Sequence, residues 1–215
     1  MSLLRSAQHE FLSHRYTVVY DPKSPQERTF PHRYLQSISS LIQKHDLRTI
    51  VEIGSIRLAH HPDQDERHPV KEDGQALWYW AETGATVISV DIDPVCLKMW
   101  EWTKGHNGKS YDNVSQRIMD GLLFLKDYQG SAIDVLYLDG WDVGSHQYQE
   151  RHLDAYELAK PHLAADCIIA IDDDDFAKTS KGQLVYPVLI NDGFVNVAKG
   201  RVSVWVRDSN FGVSA

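Results

Sequence analysis

Cysteine is scarce: Cys96 and Cys167 are the two in 215 residues, far apart and without Cys-x-x-Cys spacing. Paired-thiol chemistry is thereby set aside, and Cys167, which opens an apolar run, reads as a small core residue rather than a nucleophile. Positive charge is short as well, with 22 Lys and Arg against 30 Asp and Glu and a net charge of −8. No basic surface is on offer for nucleic acid or an anionic membrane. Long apolar runs are missing, since none approaches the roughly 18–20 residues that cross a bilayer. The opening "MSLLRSAQHEFLSHR" is too polar for a secretory core segment, so a reduced, cytoplasmic setting is expected. Internal repeats and low-complexity linkers are absent too.

What remains is an ordinary globular balance, 42% hydrophobic and 24% charged, enough for one α/β domain with a sizeable core. Residues 1–32 are mixed and end in "DPKSPQERTFPHR", whose prolines mark a loop-rich lead-in. In 34–45 the apolar residues Leu35, Ile38, Leu41 and Ile42 fall at helical spacing. "RTIVEIG" reads as a buried strand stopped by Gly54, followed by strands in "TVISVDID", "SQRIMDG", "DVLYLDG" and "DCIIAID". Helical patterns cover 75–83, 94–103, 121–128 and 148–163. Strands alternating with helices predict a doubly wound, mostly parallel sheet. The tail "GFVNVAKGRVSVWVR" holds two β-rich runs joined by "AKG", which predicts a closing antiparallel hairpin. The lead-in and first helix occupy 1–47, and the domain proper 48–215.

In an open α/β sheet, ligands bind beyond the carboxyl ends of the strands. Here those ends are acidic: Glu52 with Gly54 and Ser55, then Asp91 and Asp93, Asp120, Asp139, and finally Asp172 and Asp173. Singly, Asp93 before Pro94 or Asp120 before Gly121 reads as a helix cap. Together they suit a nucleoside. A glycine turn lets a ligand approach the backbone, an acid ending the second strand takes both ribose hydroxyls, and an acid ending the third accepts from an adenine amino group. The run "CIIAIDDDDF" poses a physical problem, because adjacent carboxylates repel and resist losing water. It is either a solvated turn or the seat of a positive charge.

The segments "TIVEIGS", "ATVISVDIDP", "RIMDGLLFL" and "DVLYLDGWD" resemble, in order and spacing, the successive motifs of class I S-adenosylmethionine-dependent methyltransferases. The resemblance runs from Arg48 to the end of the chain. It implies a Rossmann-like sheet with a reversed last strand, and a donor site built from Glu52, Gly54, Ser55, Asp91 and Asp120. Trp141 would border the adenine or the acceptor. Within that superfamily, "LYLDGWD" followed by "IIAIDDDD" is similar to metal-dependent O-methyltransferases of the catechol type and to sugar O-methyltransferases of macrolide pathways. That similarity implies a divalent ion, magnesium by default, held by Asp139, Asp172 and Asp173. Asp174 and Asp175 would cap the next segment or add only field.

Two departures stand out. "GSIRLAHHPDQDERHPVKEDGQA" delays the next helix, and its His60, His61 and His68 match no standard zinc spacing. Residues 56–73 therefore read as a solvated or lid-forming loop. The catechol-type enzymes place a lysine base three residues after the fourth-strand aspartate. Here that position is Asp142, with His146 one helical turn further, so these two are the candidate bases.

The expected activity is methyl transfer from S-adenosylmethionine to a hydroxyl of a small molecule, with the ion lowering the hydroxyl pKa. Two alternatives stay open. One is a metal-independent N- or O-methyltransferase in which the acid run is structural. The other is a non-catalytic nucleoside-binding module serving as a partner subunit or regulator. No Gly-x-Gly-x-x-Gly follows the first strand, which sets aside a nicotinamide dehydrogenase. The expected partner is a small-molecule acceptor, with no nucleic acid and no membrane, and a homo-oligomer is compatible with all of this.

Overall fold

The structure, a computed structural model, describes residues 1–13, 32–55, 75–175 and 179–209. Its strands are β1 (Thr49–Ile53), β2 (Thr86–Asp91), β3 (Val114–Ile118), β4 (Ile133–Leu138), β5 (Leu163–Ile171), β6 (Val195–Ala198) and β7 (Ser203–Arg207). They form one seven-stranded sheet in the order β3-β2-β1-β4-β5-β7-β6. The first five strands pair in parallel, and β7 runs antiparallel to both β5 and β6. The doubly wound sheet and the closing hairpin are both as predicted.

The central strands are buried on both faces, which is why they read as unbroken apolar runs rather than as alternations. Ile50, Val135 and Tyr137 enter one core, while Val51, Ile53, Leu136 and Leu138 enter the other. The first core is completed by α1 (Leu3–Ser13), α2 (His32–His45), α3 (Gln75–Glu82) and α4 (Val95–Asn107). The second is completed by α5 (Gly121–Lys126), α6 (Tyr148–Ala159) and α7 (Tyr186–Asn191).

The lead-in differs from its sequence reading. Leu3, Leu4, Ala7 and Phe11 are buried along one stripe of α1, a helical spacing that the proline-rich stretch after it obscured. The Leu4 N–H donates to the Asp208 carboxylate (2.9 Å), which fastens α1 beside the last strand. The short α7 was also unforeseen, because Pro187 in its first turn reads equally as a loop signal. Among the described residues no helix is long and apolar enough to cross a membrane.

Register carries the strand ends to one level. Ile53 lies opposite both Val90 and Leu138, and Leu138 lies opposite Ile171. Gly54, Asp91, Asp139 and Asp172 therefore leave the sheet side by side. The chain steps outward from β1 to β2 to β3 and then returns to β4 on the other side of β1. The reversal places the switch point, where such sheets bind ligands, between β1 and β4.

Candidate active site

At the switch point the chain turns at Gly54 with φ +90°, and a Cβ there would overlap the Asp139 carbonyl. Only glycine satisfies both the left-handed angle and the close approach of the two strand ends. The Gly54 N–H donates to the Val90 carbonyl (2.8 Å), and the Asp139 N–H donates to the Ile53 carbonyl (2.8 Å). Asp91 turns its carboxylate back over this turn. One oxygen accepts the Ser55 N–H (2.7 Å) and the other accepts the Asp93 N–H (2.9 Å). Each oxygen keeps a further lone pair. Asp93 accepts the Val95 N–H (2.9 Å), so it also serves as a cap for α4.

Glu52 lies beneath the turn, fully buried, and accepts a hydrogen bond from Ser89 Oγ (2.5 Å). Burial pushes its carboxyl up to about 8, against the pull of the Ser89 hydrogen bond and with reinforcement from Asp139. Gln116 on β3 donates to Ser55 Oγ (3.3 Å). The Met119 N–H donates to the Asp91 carbonyl (3.0 Å), which brings Asp120 next along the rim. Asp120 caps α5, accepting from the Leu122 N–H (2.8 Å) and the Leu123 N–H (3.2 Å). Arg151 of α6 stands 4.0 Å from Asp120 and 5.9 Å from the centre of the half-buried Trp141 ring. Gly54, Ser55, Asp91 and Asp120 thus follow one another along the carboxyl edge of the sheet, with Glu52 buried in β1 beneath it and Trp141 just beyond the end of β4.

The acid run is not a solvated turn. Asp172 is buried, Asp173 takes a left-handed backbone angle (φ +51°), and Asp174 is buried behind them. Their countercharge comes from two residues that the sequence reading passed over. Lys181, wholly buried, places its Nζ 2.5 Å from Asp139 and 2.9 Å from Asp173. Arg201, in the turn between β6 and β7, pairs with Asp172 at 3.2 Å through Nε and with Asp173 through Nη1. Burial works against the Lys181 charge, but Asp139, Asp173 and Asp172 outweigh it and hold the ammonium above the ordinary lysine value. Burial, together with Asp139, raises Asp172 to about 7, while Arg201 opposes the rise. Asp174 accepts the Gly182 N–H (3.2 Å) and the Tyr186 hydroxyl, so it pins the segment that carries Lys181. That role resembles the capping expected of it.

A divalent ion does not fit this arrangement. The oxygens that would coordinate it are already spanned by an ammonium and a guanidinium. Among the described residues no group of three or more His, Cys, Asp or Glu is arranged to hold a metal. The expected set of Asp139, Asp172 and Asp173 does come together, but as an ion-pair network. The "KG" of "TSKGQ" and the "KGR" of the hairpin were the available signals, and neither spacing distinguishes an inward cation from a surface one.

Asp142 and His146 are exposed on the turn between β4 and α6. His152, which the sequence gave no reason to single out, is buried against the edge of Trp141. Its Nδ1 lies 2.6 Å from the Tyr148 carbonyl, which assigns the proton to that nitrogen. Nε2 is left as a buried acceptor with no hydrogen-bond partner among the described residues. Burial lowers this imidazole to about 4, so it is neutral at physiological pH. Cys96 and Cys167 are both buried thiols pushed up to about 12, as expected of core residues. His60, His61, His68 and the 56–73 loop lie outside the described residues.

Solved structures match this architecture over nearly its whole length. A methyltransferase from Geobacter sulfurreducens shares 15% identity at a TM-score of 0.58, covering 97% of this chain and 90% of its own. The chain has the fold of the class I methyltransferases. The O-methyltransferase of tomaymycin synthesis from Streptomyces achromogenes, solved with S-adenosylmethionine, shares 12% identity at a TM-score of 0.56, covering 95% and 89%. An O-methyltransferase from Bacillus cereus, solved with S-adenosylhomocysteine, gives 12% and 0.55, covering 95% and 90%. No protein-family model matches the chain, and no curated protein matches it. The strand ends around Gly54 and Asp91 lie at the usual ligand position of a doubly wound sheet.

Proposed function

We propose that this chain is an S-adenosylmethionine-dependent methyltransferase acting on a hydroxyl of a small molecule. The observation that carries the reading is the Asp91 carboxylate folded over the Gly54 turn at the switch point between β1 and β4. When bound, S-adenosylmethionine supplies an electrophilic methyl group on a sulfonium. The residues present suit such a donor. Asp91 offers its remaining lone pairs to a ribose diol, and Asp120 with Trp141 forms the rim where an adenine would lie. Gly54 and Ser55 expose backbone at the turn. Glu52 places beneath it a carboxyl that an ammonium group would draw into its ionised form.

Between the metal-assisted and metal-independent forms, the ion pairs of Lys181 and Arg201 favour the second. The acceptor's proton then passes to a protein base. Asp142 and His146, on the turn that leaves β4, are the proposed acceptors of it. A non-catalytic nucleoside-binding subunit shares the cleft but needs no acceptor side.

Competition binding separates the possibilities. S-adenosylmethionine and S-adenosylhomocysteine should bind with similar affinity, and adenosine alone should bind more weakly. Transfer of a labelled methyl group to a panel of hydroxylated small molecules then tests catalysis. Equal affinity for NAD and S-adenosylmethionine would remove the methyl-donor reading.

A further inference from the structure

We infer that Lys181, supported by Arg201, is a built-in cation that takes the place of a divalent ion at the ends of β4 and β5. Three carboxylates converge there from two strands, and both cations reach them from elements further along the chain. Lys181 bridges Asp139 of one strand end to Asp173 of the other, the same pair of ends that a shared metal would join. Arg201 covers the remaining carboxylate of Asp172 and shares Asp173.

The placement is constructed rather than incidental. Before Lys181, the Thr179 carbonyl accepts the Tyr148 hydroxyl (2.9 Å) and the Ser180 carbonyl accepts Gln149 Nε2 (2.9 Å). After it, the Gly182 N–H is held by Asp174 (3.2 Å). Both flanks of the lysine are thus tied to α6 and to the acid run itself. The Asp174 N–H donates to the Arg201 carbonyl (2.9 Å), which fixes the hairpin turn that presents the guanidinium. The four consecutive aspartates therefore need no ion from solution: two pair with cations, the third anchors both cation-bearing segments, and the fourth is exposed.

The charge arithmetic agrees. With all three carboxylates ionised, one ammonium and one guanidinium leave a single negative charge across the network, and a proton on Asp172 would remove it. A divalent ion seated among the same oxygens would put four positive charges against three, at contact distance in a buried site. Binding a metal would require expelling Lys181. A lysine is a fixed charge that neither exchanges with solution nor yields to a chelator, so the site keeps its countercharge permanently.

This concerns the same cleft as the proposed methyl transfer, but its test uses neither donor nor acceptor, so the two can fail separately. Thermal unfolding is followed in chelator and in millimolar magnesium, manganese or calcium. Wild-type protein should melt at the same temperature in all of them. Lys181→Ala should melt lower in chelator and recover with a divalent ion, by roughly 5–10 °C at a metal concentration a hundredfold above its dissociation constant. Adding Asp172→Asn to that variant should abolish the recovery. A saturable metal response in wild type that Asp172→Asn removes would overturn the inference, as would a folded Lys181→Ala protein with no response. Should Lys181→Ala fail to fold, titration of wild-type protein with manganese, read by the electron-spin signal of the free ion, decides the matter. Undiminished free ion supports the built-in cation, and stoichiometric uptake lost in Asp172→Asn overturns it.

Discussion

Glu52 offers a quantitative test of how the cleft is built. Its carboxyl is fully buried and raised from an ordinary value of 4.5 to about 8. A folded-state value above the unfolded one means that the native state holds the proton more tightly. Its contribution to stability is complete below about pH 4.5 and is lost as pH rises through about 8. Each unit is worth about 1.4 kcal/mol. At pH 7 the loss amounts to about 3 kcal/mol, and over the full interval to about 5 kcal/mol as an upper bound. Glu52→Gln keeps the shape and removes the titration, so its stability relative to wild type should climb with pH. Urea unfolding at pH 5.5, 6.5 and 7.5 measures this. The difference between variant and wild type should shift in the variant's favour by about 1.4 kcal/mol per pH unit. A difference that stays constant across the three pH values would refute the buried, proton-holding carboxyl and the packing that produces it.

Other consequences are simpler to state. Asp120→Ala should cost about 0.5–2 kcal/mol of stability through the lost α5 cap, whereas Asp120→Ser should restore most of it. Melting curves of the pair read the cap separately from any loss of donor affinity. Cys96 and Cys167, buried with thiols pushed up to about 12, should be unreactive to thiol reagents until the protein unfolds. A fast-reacting thiol in native protein would contradict their core placement. Asp208→Ala, which removes the acceptor of the Leu4 N–H, should loosen α1, seen as faster amide exchange in that helix than in the sheet.

The order of strands and helices was legible because each central strand announces itself as a short apolar run ended by Gly or Asp. "TIVEIG" is buried throughout, and so are the apolar cores of "DVLYLDG" and "DCIIAID". The acidic strand ends were legible too, since parallel register carries the ends of β1 to β5 to one edge of the sheet. The partners of those acids were not. Lys181 sits in "TSKGQ" and Arg201 in "AKGR", turn-like stretches where a cation normally faces water. Their inward direction is set by Asp174, Tyr148 and Gln149, contacts between residues up to 34 positions apart. α1 escaped notice because its four buried residues form a narrow stripe next to a proline-rich segment. His152 escaped because one histidine in a polar helix carries no pattern.

The central claim is a methyl-donor cleft organised by Asp91 at the β1 and β4 switch point. Calorimetric titration of wild-type protein and Asp91→Ala with S-adenosylmethionine, both in chelator, tests it most directly. Wild type should bind one equivalent, and Asp91→Ala should be weaker by about 1–3 kcal/mol while keeping its melting temperature within a few degrees. Equal affinity in the two proteins, or no binding to wild type, would contradict it.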